Sequence, residues 1–176
     1  MAMYIYTPLD FTNEQIRLIH LLPGCFQDDI KVEMFHAQLP PDEDSDLTTI
    51  SYDALSYVWG SAENLKSITI VGTCTNPRSG QLPVTENLAV ALRHLRKQHE
   101  VRTLWIDAIC INQRDLTERS TEVRKMGRIY KKACRTLVWL GPEEENSSFA
   151  VHLLQSILKD VYLKSTYWKI RPRSET

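Results

Sequence analysis

The residues of this chain that can do chemistry stand where apolar runs give way to polar loops. Glu118 falls at the expected start of a helix, just beyond the apolar run 103–109. A carboxylate there can hold ribose hydroxyls or stabilise the oxocarbenium-like centre of an N-glycosidic cleavage. Asp115 and Glu118 also have the spacing of a capping box, which satisfies a free backbone N–H with no catalytic part, so both readings stand. Asp107 interrupts the same apolar run, and a buried carboxylate costs several kcal/mol, of order 2–7, unless donors or a cation compensate it. That marks Asp107 for a task, structural before catalytic. Asn112 and Gln113 can offer amides to a base or ribose, or tie down their own loop. Trp59 precedes Gly60; an indole there can stack on a planar ring while the glycine lets backbone approach closely, although aromatics at strand ends more often belong to the core. Tyr57 and Trp105 are read as core.

The basic residues Arg124, Lys125, Arg128, Lys131, Lys132 and Arg135 form a stripe whose plain reading is a solvated helix face, and Arg119, nearer the helix start, is better placed for a phosphate. Cys110 has no neighbouring histidine in sequence and reads as a small buried hydrophobe. The four cysteines form no CxxC pair and no zinc spacing, which favours reduced thiols and no metal. Neither GxxxxGK[ST] nor GxGxxG is present, so nucleoside triphosphate hydrolysis and Rossmann-type redox chemistry find no support.

Positioning these groups falls to alternating strands and helices. The stretch 14–23 ends at the breaker pair Pro23-Gly24, and 30–35 alternates as an edge or half-buried strand. A Pro- and acid-rich loop, 40–46, leads to a first central strand within 50–59. Residues 67–71 and 82–84 form a small hairpin. Thr85 caps a helix to about Gln98, with Leu88, Ala91, Leu92 and Leu95 on one face. A buried strand over 103–109, a helix over 116–133 with Val123, Met126, Tyr130 and Ala133 inward, a buried strand over 135–140 and a third helix over 147–162 complete the order. This predicts an α/β fold of three layers, a mostly parallel sheet flanked by helices with an added β-hairpin and an N-terminal strand. Ligands bind such sheets beyond the carboxyl ends of the strands, which selects the loops 59–62, 109–118 and 141–146.

With 176 residues, 43% of them hydrophobic, the chain can close one sizeable core, and a single domain is expected: a motif core at about 50–160, an N-terminal extension 1–49 packed on it, and a tail 164–176. A net charge of −1 gives no field to capture nucleic acid. No signal peptide is apparent and no run of about 18 apolar residues exists to span a membrane, so a cytoplasmic protein is expected.

At the selected loops the sequence closely resembles the HET (heterokaryon incompatibility) domain family of fungi. The matching blocks are YDALSYVWG (52–60), LWIDAICINQ (104–113), ERSTEVRKMGRIYKKA (118–133) and TLVWLG (136–141), flanked by IRLIHLLPG from Ile16 and VTENLAVAL from Val84. Glu122 departs from the family pattern, which more often has Gln, and sets two carboxylates one turn apart. The resemblance implies a cell-death effector in nonself recognition between fused cells, commonly the N-terminal part of a longer protein. The family is distantly similar to TIR domains, some of which cleave NAD; that similarity implies a TIR/flavodoxin-like sheet and an essential acid among Glu143, Glu144 and Glu145, with Glu145 best spaced before the helix. The implied reading is an NAD glycohydrolase with no bound cofactor, NAD as substrate, Glu118 or Glu145 as catalytic acid, and Trp59, Gly60, Asp107, Asn112, Gln113 and Arg119 binding substrate. The alternative is a non-catalytic signalling module that assembles with copies of itself or with a recognition protein.

Overall fold

A computed structural model describes residues 2–40 and 50–142 of the chain. The expected third helix, the acids Glu143, Glu144 and Glu145, the tail and most of the acidic loop lie outside the described residues. In order the elements are β1 (Gln15–Leu21), β2 (Lys31–Gln38), β3 (Asp53–Tyr57), β4 (Lys66–Val71), β5 (Gly80–Val84), α1 (Glu86–Leu95), β6 (Arg102–Trp105), α2 (Asp107–Cys110), α3 (Leu116–Lys132) and β7 (Arg135–Trp139).

All seven strands join one sheet in the order β5-β4-β2-β1-β6-β3-β7. The fold is α/β, but the sheet is mixed where a mostly parallel one was expected. β3 lies parallel to both β6 and β7, and β2 to β4, while β1 runs antiparallel to β2 and β6, and β4 to β5. The reason lies in the first 40 residues, which supply the antiparallel pair β1–β2 to the middle of the sheet. Of the stretch 30–35, read as an edge or half-buried strand, residues 31–35 belong to β2, which is half-buried as read but is no edge, being flanked on both sides. β1 is sealed on both faces, with Ile16, Arg17, Leu18, Ile19 and Leu21 all buried, as a central strand must be.

Helix α1 follows its pattern: Thr85 Oγ1 accepts from Leu88 N, and Leu88, Ala91 and Leu92 are buried. It ends at Leu95, short of Gln98, where Arg96 turns extended and its guanidinium takes the carbonyls of Cys25, Asp28 and Asp29. The apolar run 103–109 is not one strand. β6 stops at Trp105 and α2 begins at Asp107, because buried apolar runs of this length fit either conformation. On α3, Met126, Tyr130 and Ala133 pack against the core as expected, but Val123 is exposed and the fully buried positions are Glu118, Glu122 and Ile129. β7 was read as buried; among the described residues it is an edge strand with Arg135 and Val138 exposed.

The three parallel strands are clamped at their amino ends. Asp53 on β3, buried, accepts from Arg102 on β6 through Nε and Nη2 at 3.2 and 3.0 Å, and from Arg135 on β7 at 3.0 Å to each oxygen. Helix α1 covers one face, where Trp139 stacks beside His94 and donates to Asn87 Oδ1 at 2.9 Å. Helix α3 covers the other, where Tyr130 meets Trp105 edge-on and Tyr52 donates to the Ile129 carbonyl.

Residues near the amino terminus close the far edge. Met3 bridges Gln81, and a Cβ at Gly80 would stand 2.8 Å from the Tyr4 backbone. Gly80→Ala is therefore expected to cost about 1–3 kcal/mol, since backbone cannot yield as a side-chain tip does. Urea unfolding should show a lower midpoint at unchanged m, and hydrogen exchange should show residues 2–6 released first.

Candidate functional site

β3 and β6 are neighbours whose chain continues over opposite faces. After β3 it proceeds through the β4–β5 hairpin to α1, and after β6 it passes through α2 to α3. Adjacent parallel strands with connections on opposite sides leave a crevice at their carboxyl ends, the usual place for ligands in such sheets. There the exposed Trp59 donates its indole N–H to Asp107 Oδ2 at 2.9 Å. Asp107 heads α2; its Oδ1 accepts from Ala108 N at 2.7 Å, and its carbonyl accepts from Gln113 Nε2 at 2.9 Å. Burial raises the Asp107 carboxyl above the ordinary aspartate range, and the donors Trp59 and Ala108 pull the other way. Tyr57, one strand position inward, holds a buried hydroxyl with no hydrogen-bond partner, and burial, then the Asp107 charge, pushes its pKa up strongly.

Gly60, the residue after Trp59, lines an open cavity of ≈ 320 Å³ with Ser61, Asn64, Glu86, Asn87, Val90 and Pro142; neither Trp59 nor Asp107 is part of that lining. Gly60 has φ +76°, a left-handed conformation that favours glycine, and a Cβ there would also press on Asn87 at 3.4 Å. Asn87 knits the rim: its amide donates to the Val58 carbonyl at 2.5 Å while its oxygen takes Trp139 Nε1. Glu86 pairs with Lys66 at 3.2 Å and stays largely exposed. The loops after β3 and β7 thus meet through Gly60, Ser61 and Pro142, while the segment after β6 is tied to the loop after β3 outside the cavity lining, by the Asp107–Trp59 hydrogen bond.

Glu118 is elsewhere. It is 4% exposed, and Arg17 from β1 grips it with both Nη atoms, at 2.5 and 2.9 Å. Its Oε1 also accepts the backbone N–H of Asn112 at 2.6 Å. Only half of the capping box forms. Asp115 accepts from Thr117 N and Glu118 N, but the reciprocal arm is missing because Glu118 turns inward and the Asp115 N–H goes to the Asn112 carbonyl. The cations answer the question of repulsion with Glu122: that fully buried carboxyl lies 3.0 Å from Lys125 Nζ while Glu118 has Arg17. Burial raises the Glu122 pKa, with Lys125 opposing.

Of the sequence-selected residues, Trp59, Gly60, Asp107 and Gln113 gather at the crevice. Asn112 uses its Oδ1 on Arg114 N within the loop, and Arg119 lies exposed on α3. Cys110 is buried with its thiol pushed up to about 12, an inert packing residue; Cys25, Cys74 and Cys134 are free and exposed. Sequence reasoning missed Arg17, whose only signal was a charge inside a mainly apolar strand, and it missed Asn64, Glu86 and Asn87, which look like ordinary loop and helix-start residues; Ser61 falls in the selected loop 59–62 but was not singled out.

A family model described as Heterokaryon incompatibility protein (HET) matches residues 52–174. The chain is also similar to heterokaryon incompatibility protein 6, OR allele, of Neurospora crassa, with 36% identity over 161 residues, or 88% of this chain. It spans only 23% of that relative's length. No solved structure matches.

Two expectations follow from the geometry. Glu118→Gln or Arg17→Met should each cost about 3–5 kcal/mol, since each strands a buried charge or its partner, and the double variant should cost far less than the sum; denaturant unfolding of the four proteins measures the coupling. The raised Asp107 pKa makes its contribution fully stabilising below the ordinary aspartate pKa, and that contribution is lost as pH rises through the folded value. Asp107→Asn should therefore gain on the unsubstituted chain between pH 4 and 7, read as unfolding midpoints at the two pH values; a constant gap would refute the assignment.

Proposed function

The chain belongs to the HET (heterokaryon incompatibility) family, and from that premise we propose that it is the effector module through which fused fungal cells answer nonself, with cell death as its output. The proposed setting is the cytoplasm of the fused cells; among the described residues no helix is long and apolar enough to cross a membrane. In the wider protein of which such a module forms part, recognition is assigned to the remainder and the response to this domain.

We take the parallel trio β6-β3-β7 as the TIR-like part and the crevice as a site for NAD. The observation that carries this reading is the Trp59–Asp107 hydrogen bond, which fixes an exposed ring and a half-buried carboxyl side by side at the ends of two parallel strands. The indole face stacks on nicotinamide or adenine, Gly60 lets the backbone approach, and Gln113 steadies the loop beneath. The Asp107 carboxyl takes ribose hydroxyls. Charge developing at the ribose anomeric carbon as nicotinamide departs is met by Glu145, and water completes the exchange to ADP-ribose and a proton. Glu118 is assigned a structural part, because its ion pair with Arg17 occupies both oxygens.

A second reading, a non-catalytic module that assembles with copies of itself or a recognition partner, draws on α3. Its outer side exposes Leu116 and Val123, and Gly127 has no atom within 4 Å of where a Cβ would sit. A mid-helix glycine costs about 1 kcal/mol relative to alanine, and nothing within the fold requires it.

The purified chain at high concentration, incubated with NAD, is expected to release nicotinamide, measured by chromatography. Asp107→Asn and Glu145→Ala should each lower the rate about 10²-fold, and Trp59→Ala should raise KM. Release undiminished in both carboxylate variants discards the assigned acids; no release under conditions that drive assembly favours the second reading.

A further inference from the structure

The Trp59–Asp107 pair and the cavity of ≈ 320 Å³ are two places that meet at one residue. Trp59 and Asp107 take no part in the cavity's lining, while Gly60, next in the chain, does. At that volume the cavity stands at the small end of the roughly 300–1,000 Å³ that ligand sites occupy, which leaves room for one half of a dinucleotide and not for both. The two places also differ in charge. Asp107 receives N–H donors from the Trp59 indole and Ala108, and among the described residues no cation pairs with it. Glu86, the acid of the cavity lining, already has Lys66 at 3.2 Å. The rest of that lining is uncharged. Val90 and Pro142 give it apolar surface, Ser61 Oγ accepts from Glu63 N and keeps a proton to give, and the exposed Asn64 amide has no hydrogen bond among the described residues.

We infer, resting on the reading of the crevice as an NAD site, that the dinucleotide lies across Gly60, with its nicotinamide riboside at Trp59 and Asp107 and its adenosine half in the cavity. The nicotinamide ring of NAD is a cation, and it goes to the carboxyl that lacks a counter-charge and to the indole face, which attracts cations. Adenine is neutral and flat. Val90 and Pro142 offer it apolar surface, and a free amide such as that of Asn64 matches the donor and acceptor on its N6–N7 edge. The pyrophosphate passes over Gly60, where the missing Cβ lets it lie close to backbone and where φ +76° favours glycine. Lys66, half exposed beside Glu86, supplies a cation at that rim. Asn64 and Val90 thereby select NAD over its mononucleotide half, a distinction that Trp59 and Asp107 do not make.

The probes are AMP, nicotinamide mononucleotide and inorganic phosphate, each titrated into the ¹⁵N-labelled full chain and followed by NMR. AMP should shift the Gly60, Ser61 and Val90 amides and the Asn64 side-chain amide, and the mononucleotide should shift the Trp59 indole N–H. Asn64→Ala and Val90→Trp should each weaken AMP on the order of tenfold more than they weaken the mononucleotide. In the nicotinamide-release assay both should lower kcat/KM for NAD by a similar factor relative to the mononucleotide. Asn64 is exposed, so its variant tests the site even where the bulk at position 90 disturbs α1. Cavity signals unmoved by AMP, the same shifts with phosphate alone, or AMP acting at the Trp59 indole instead would overturn the inference. Cavity shifts with AMP but no nicotinamide release would leave the adenosine site standing and remove the hydrolysis.

Discussion

A guanidinium buried in the middle of a sheet must find its counter-charge and acceptors inside the protein, and Arg17 does so by reaching three separate parts of the chain. It donates to the Thr7 carbonyl at 2.7 Å, to the Cys110 carbonyl at 3.0 Å and to both oxygens of Glu118, with Tyr6 under its plane at 4.9 Å. Its planar fork suits a bidentate carboxylate in a way an ammonium would not. The amino-terminal segment, the end of α2 and the first turn of α3 are thereby referred to one strand. The loop that carries Asn112 and Gln113 has its position because both of its flanks are fastened to β1.

The crevice inherits that order at one remove. α2 is held by Arg17 at its Cys110 end and presents Asp107 at its start, so the carboxyl that meets Trp59 sits on a short helix anchored from below. On the other side Asn87 fastens the end of β3 to β7. At the amino ends the Asp53 clamp holds the same strands together. Charged and amide groups therefore fix both ends of the parallel trio, while aliphatic packing fills the middle.

Local patterns disclosed what is locally decided. The Thr85 cap, the face of α1, the β4–β5 hairpin and the span of α3 could be read from spacing, because each rests on contacts within a few residues. The direction of Glu118 could not. Its spacing from Asp115 fits a capping box, and what turns it inward is an arginine 101 positions away. The central place of β1 was hidden for the same reason: Arg17 and His20 interrupt its apolar run, and only the fold shows that one is neutralised inside and the other pairs with Glu33 at the side. The end of β6 at Trp105 escaped detection because strand and short helix are equally compatible with continuous apolarity. Within the crevice, Trp59, Gly60 and Asp107 were found from their place after strands, whereas Asn87 serves the site through bonds to Val58 and Trp139 that no spacing announces.

The pairing of β1 with β6 has a kinetic side. Ile19 stands opposite Leu104, so the seam at the centre of the sheet joins the beginning of the chain to a strand made much later. Loop closure across such a separation is slow because entropy is surrendered before contacts repay it. During synthesis the β1–β2 hairpin must wait, its outer edge unpaired, until β6 and then Glu118 emerge. Until Glu118 is made, the Arg17 guanidinium lacks the carboxylate that neutralises it inside the fold, so the burial of β1 cannot be completed before α3 begins.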